Sequence, residues 1–165
     1  MRIFAIDPGN VESAYVVIDS KTLEPIEVKK TRNEEVRKRL YAFINKHHLS
    51  SKFAIEMVAS YGMAVGKTVF DTCVWIGRFA EIIETFECKV DLIYRKNVKL
   101  NLCQNMRAKD SNITQALIDR FAHGVGNKGK GTKANPGWFY GFKKDIWQAY
   151  AVAVTFADMK KRGEI

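Results

Sequence analysis

Three β-type runs precede the first helical pattern, and every later strand alternates with a helix. Arg2–Ile6 is a short apolar strand. After the turn Asp7-Pro8-Gly9-Asn10, Ser13–Asp19 brings Tyr15, Val16, Val17 and Ile18 to a second strand, so the two pair as a hairpin or close neighbours. Glu24–Lys30 carries the charges of an edge strand. Thr31 with Glu34 forms a capping box for a helix whose stripe is Val36, Leu40, Phe43 and Ile44. Phe53–Val58 returns as a strand. A long helix beginning near Gly66 follows, with Val69, Cys73, Ile76, Ala80 and Ile83 at helical spacing. Lys89–Tyr94 is a fifth strand, and Asp110 or Ser111 caps a helix carrying Ile113, Ala116, Leu117 and Phe121. A last helix runs from about Lys144 to Lys161. This order predicts an α/β fold, a mixed five-stranded sheet flanked by helices.

The 165 residues suit one domain, 1–165, with a glycine- and lysine-rich segment at about 124–144 expected to be a mobile basic loop. Lys and Arg total 27 against 18 Asp and Glu, a net +9, which favours a polyanionic partner: nucleic acid first, an acidic membrane surface second. No apolar run approaches the roughly 20 residues of a membrane helix. An acid at position 7 speaks against a secretory signal. Cys73, Cys88 and Cys103 are widely spaced and read as reduced cytosolic thiols, while His47, His48 and His123 form no metal motif.

Three carboxylates interrupt otherwise apolar surroundings, where an unpaired charge is costly. Asp7 ends the first strand, Glu56 lies inside the fourth, and Asp145 opens the last helix. Each has an ordinary reading: Asp7 as a turn initiator, Glu56 as a solvent-facing strand residue, Asp145 as a helix cap. Together they match a Mg²⁺ site, because that ion takes oxygen ligands drawn from separate elements, and two such ions can drive phosphodiester hydrolysis. Gly62-Met63-Ala64-Val65-Gly66-Lys67-Thr68 approaches a P-loop but has three residues between its glycines where that motif has four. No nucleotide cofactor is expected, and the segment reads instead as an anion-friendly helix N-terminus where Lys67 meets a DNA phosphate.

Ile6-Asp7-Pro8-Gly9, Glu56 in the fourth strand, Gly77-Arg78, Val98-Lys99, Ala108-Lys109-Asp110 and Asp145–Ala153 resemble, in order and spacing, the RuvC-type Holliday junction resolvases of the ribonuclease H-like superfamily. Ile55–Gly62 looks closest to the phage-encoded branch. The resemblance implies a crossover junction endodeoxyribonuclease that makes paired nicks through hydrolysis with Mg²⁺, Mn²⁺ substituting, and leaves 5′-phosphate and 3′-hydroxyl ends. It implies Asp7, Glu56 and Asp145 as metal ligands and Lys99 and Lys109 as basic residues of the site. It also implies the cytosol of a phage-infected bacterium. The family's last helix commonly presents two acids three apart, whereas here Gln148 follows Asp145. Gln148 is then either a fourth, uncharged ligand or a substitution that weakens the site, and Asp110 is a substitute acid or a helix cap. The family's stacking aromatic after the strand acid has Tyr61 as its counterpart.

Lys67, Arg78, Lys99, Arg107 and Lys109 flank the acids in sequence, and Lys128, Lys130, Lys133, Lys143 and Lys144 interleave with Trp138, Phe139 and Tyr140. Basic residues among aromatics suit a DNA backbone track, although the aromatics also suit a lid on the core. A two-fold junction matches a homodimer, with the long helix, apolar nearly all round, as a candidate seam. A branched-DNA binding protein with a decayed site, and a nuclease acting on RNA in hybrids, are the competing readings.

Overall fold

The structure is a computed structural model that describes residues 1–60 and 62–165. Tyr61, the expected stacking residue, lies outside the described residues. Strands β1 (Arg2–Asp7), β2 (Glu12–Asp19), β3 (Pro25–Arg32), β4 (Ser51–Met57) and β5 (Val90–Tyr94) form one sheet in the order β3-β2-β1-β4-β5. β1–β2 and β2–β3 are antiparallel, and β1–β4 and β4–β5 are parallel, so the sheet is mixed as expected. Helices α1 (Asn33–His47) and α2 (Lys67–Thr85) cover one face. The other face carries α3 (Arg95–Cys103), α4 (Asp110–Phe121) and α5 (Ile146–Arg162).

The strands sort their residues by the period of two. Phe4 and Ile6 of β1, with Phe53 and Ile55 of β4, enter the α1–α2 core. Ile3 and Ala5, with Ala54, enter the core beneath α5. Helix α5 is the centre of that layer: every residue from Ile146 to Phe156 is buried. Among the described residues no helix is long and apolar enough to cross a membrane, and the three cysteines are free.

Three expectations need correction. The capping box of Thr31 and Glu34 does not form: Thr31 remains in β3 and α1 starts at Asn33 without a side-chain cap. Asn33 is buried instead, in a closed hydrogen-bond triangle. Its Nδ2 donates to the Gly9 carbonyl (2.8 Å), the Gly9 N–H donates to Ser13 Oγ (3.1 Å), and the Ser13 hydroxyl donates to Asn33 Oδ1 (2.6 Å). Helix α3 was not expected at all. The third correction concerns 124–144. Although glycine-rich, this segment is pinned by Phe139 and Phe142, which are fully buried against Trp147 and Tyr150 of α5. Trp138 Nε1 donates to the Tyr150 hydroxyl (2.9 Å), which donates to the Leu23 carbonyl (2.9 Å). A Cβ at Gly137 would lie 2.3 Å from the Gly129 carbonyl oxygen, so glycine here serves a close backbone crossing within an ordered loop.

Candidate active site

The register places the first two acids. β1 and β4 run parallel with Ile6 beside Ile55, so the next step sets Asp7 beside Glu56 at the C-terminal ends of both strands. Because Ile6 and Ile55 face α1–α2, the two carboxylates face α5, on the side of Ala5 and Ala54. The chain must turn away immediately after Asp7. A Cβ on Gly9 would lie 2.3 Å from the Glu12 carbonyl oxygen, so glycine permits that turn, and the Gly9–Ser13–Asn33 triangle holds it.

The Asp7 and Glu56 carboxyls lie side by side across the parallel pair, close enough for each to perturb the other. Burial, and then the charge of Glu56, push Asp7 well above the usual carboxylate range. Glu56 is also raised, by burial first, with the Arg95 guanidinium opposing the rise. Both carboxyls are therefore shifted toward their neutral forms, Asp7 strongly.

Asp145 is the N-cap residue of α5 but makes no capping hydrogen bond. Its carboxylate pairs with the Lys30 ammonium of β3, a contact 115 residues apart in sequence. Asp145 remains close enough for its charge to help raise Asp7. The expected three-carboxylate set is thus an adjacent pair with a third acid turned to a lysine. Among the described residues no three Asp, Glu, His or Cys side chains gather as one metal-holding group. The physical reason is charge: three carboxylates repel one another, and Asp145 is drawn to the Lys30 ammonium.

Gln148 lies one turn into α5, 8% exposed, and its Oε1 has no hydrogen-bond partner within the protein. It opens on a cavity of about 630 Å³ shared with Asp145, Trp147, Asp110, Lys128 and Lys144. Arg95, the first residue of α3, reaches Glu56 Oε1 (3.4 Å) and pairs with Asp110. Asp110 is the first residue of α4 and not its cap; Lys109 holds the cap position, where its N–H donates to Asn112 Oδ1 (2.8 Å).

The expected basic residues divide. Lys128 lines the cavity beside Asp145 and Gln148. Lys130 is half-buried and Lys133 exposed in the same loop, and Lys99 is half-buried on α3. Arg107 and Lys109 are exposed ahead of α4. Lys67 pairs with Asp71 one turn along α2 (2.6 Å), so its ammonium is engaged within the helix. Arg78 stacks over Trp75 (4.6 Å) and lines the groove between α1 and α2, across the sheet from the acids. Sequence reasoning missed Lys30 and Arg95, the cations that touch the acids. Nothing local marks either, because Lys30–Asp145 spans 115 residues and Arg95–Glu56 spans 39.

No protein-family model matches the chain, and no curated protein matches it by sequence. Solved structures do. Thermus thermophilus RuvC superposes with a TM-score of 0.68 at 16% identity, covering 99% of this chain and 97% of that one. T. thermophilus RuvC in complex with a Holliday junction substrate superposes with a TM-score of 0.73 at 13% identity, over 99% and 96%. Fowlpox virus resolvase in complex with Holliday junction DNA gives 0.56 at 13%, over 97% and 99%. Strand order, mixed sheet and flanking helices together give this chain the α/β, ribonuclease H-like fold of RuvC.

Proposed function

We propose that this chain is a metal-dependent endonuclease that resolves Holliday junctions and related branched DNA. The buried Asp7–Glu56 carboxyl pair, at the strand ends of a RuvC-like sheet, is the observation that carries this reading. A pair of desolvated acids costs stability, and neither is used in a turn or a cap. The two similar structures bound to DNA are described as complexes with Holliday junctions, and this chain's +9 suits the same polyanion.

The donors fit a hard divalent cation. Asp7 and Glu56 supply carboxylate oxygens, and Gln148 supplies a buried amide oxygen that the protein leaves unpaired. Mg²⁺, or Mn²⁺ in its place, would be held by Asp7, Glu56 and Asp145, with Gln148 as an uncharged fourth ligand. Bound there, such an ion supplies a nucleophile from water at neutral pH and stabilises charge on the phosphodiester oxygens. The protein's own part is placement. The strand register fixes the two acids, the Gly9–Ser13–Asn33 triangle fixes the turn beside them, and α5 presents Asp145 and Gln148 three residues apart on one face. Lys128 and Lys144 at the cavity, with Lys99, Arg107, Lys109, Lys130 and Lys133, would neutralise backbone phosphates.

A homodimer fits the two-fold substrate, and α2 supports it. Phe70 and Val74 stand 60% and 53% exposed on its outer face, while Ile76, Phe79 and Ile83 are buried in the core. The likeness of Ile55–Gly62 to the phage-encoded branch supports a role in the cytosol of an infected bacterium.

Cleavage of a four-way junction in Mg²⁺ tests the reading. Asp7→Asn and Glu56→Gln should each abolish nicking while junction binding persists. Normal cutting by both variants would refute it.

A further inference from the structure

Five residues form one row across the sheet. β3 Lys30 pairs with β2 Ala14, Ala14 with β1 Asp7, Asp7 adjoins β4 Glu56, and Glu56 pairs with β5 Ile93. All five side chains share the α5 face. At about 4.8 Å per strand, Lys30 starts roughly 10 Å from Asp7, with only a methyl group between them. Its stem crosses Ala14 and sets the ammonium on Asp145. From the far side, Arg95 follows the end of β5 and holds Glu56 together with Asp110. The acids are therefore flanked by two cations from opposite edges of the sheet.

Resting on the nuclease reading, we propose that Lys30 and Arg95 are exchangeable counter-ions of the active centre. Each neutralises a carboxylate while no divalent cation is bound, and each passes to a phosphate of the DNA strand when such a cation takes the acids. Charge balance supports the exchange. The two side chains carry two positive charges, the same as the ion that replaces them, so the buried Glu56 is not left without a counter-charge. Both side chains can make the transfer, being 25% and 22% exposed and so open to the solvent side where a strand would lie. Their chemistries suit it too. The Lys30 ammonium is a point charge on a flexible stem, and the Arg95 guanidinium, already spread over two carboxylates, presents the fork that matches a phosphate.

The exchange makes cation affinity and DNA affinity respond in opposite directions to one substitution. Calorimetric titration of the full chain with Mn²⁺ alone should show tighter binding in Lys30→Met, by about five-fold or more, because a competitor for Asp145 has gone. In saturating Mn²⁺ the same variant should bind a four-way junction more weakly, with a salt slope about one unit shallower. Lys30→Arg should restore both values toward wild type. Arg95→Met should behave likewise at Glu56. Should that variant fail to fold, the Lys30 series decides alone. Mn²⁺ affinity unchanged or weakened in Lys30→Met, or an unchanged junction salt slope, overturns the inference and leaves the nuclease reading standing. A wild-type chain that takes up no Mn²⁺ overturns both.

Discussion

Asp7→Asn should make the protein more stable as it makes it inactive. Asp7 and Glu56 lie one strand spacing apart, about 4.8 Å. Two like charges at that distance, at an effective dielectric constant of about 20, repel by roughly 3–4 kcal/mol. The upward shift of Asp7 toward its neutral form relieves part of that repulsion, and Arg95 at 3.4 Å from Glu56 offsets part of the rest. A net gain of about 1–2 kcal/mol is therefore expected on removing the acid, or about 2–8 °C in melting temperature for a chain of this length. The pH dependence has a definite sign. Both carboxyls titrate higher in the folded state than in the unfolded chain, so stability present below the ordinary carboxylate pKa is lost as pH rises through the folded value. The Asn variant escapes the Asp7 share of that loss, so its advantage should be small at pH 4 and largest near pH 8. Thermal melts in a chelator across this range measure it, with junction cleavage assayed on the same samples. Addition of Mn²⁺ should reverse the order, because an ion at 100 times its dissociation constant stabilises only the protein that binds it, by about 2.7 kcal/mol. A variant that melts below wild type at pH 8 without metal, or an advantage that does not change with pH, would refute the reasoning.

Three further outcomes follow from the geometry. Phe139→Ala should destabilise the chain by about 3–5 kcal/mol in a denaturant titration, since the fully buried ring packs against Phe142, Trp147 and Tyr150. A mobile loop would show almost no effect. Gln148→Asp adds a buried charge beside the acids, so its melting temperature should fall in a chelator and recover in Mg²⁺. Equal loss in both conditions would remove Gln148 from the metal's surroundings. Phe70→Glu with Val74→Glu should leave the fold intact by circular dichroism and shift sedimentation from dimer to monomer; a wild-type monomer at micromolar concentration would dispose of the α2 seam.

Elements with a strong period were legible before any coordinates. Val36, Leu40, Phe43 and Ile44 are all buried on α1, and the alternation through Phe53, Ala54 and Ile55 sorts the two cores. Helix α3 was not legible because only Val98 of its nine residues is buried, which leaves no stripe to detect. The 124–144 segment misled because its glycines serve close crossings and its aromatics serve the core, and composition alone does not distinguish these from flexibility and stacking. At the candidate site, Asp7, Glu56 and Asp145 were each found as acids in apolar runs, and parallel strand register brings the first two together. Lys30 and Arg95 were invisible because they are ordinary surface-type residues whose significance comes from crossing the sheet.

Ala14 carries a consequence out of proportion to its size. On the α5 face of β2 the neighbouring positions hold branched residues, Val16 and Ile18, yet the position between Lys30 and Asp7 holds a single methyl group. That methyl is a window in the wall of side chains over the sheet. A valine or isoleucine there would suit the strand equally well by propensity, and would shutter the edge lysine from the acids. The electrostatic state of the candidate site thus depends on one side-chain volume on a strand that contributes no charged group to it.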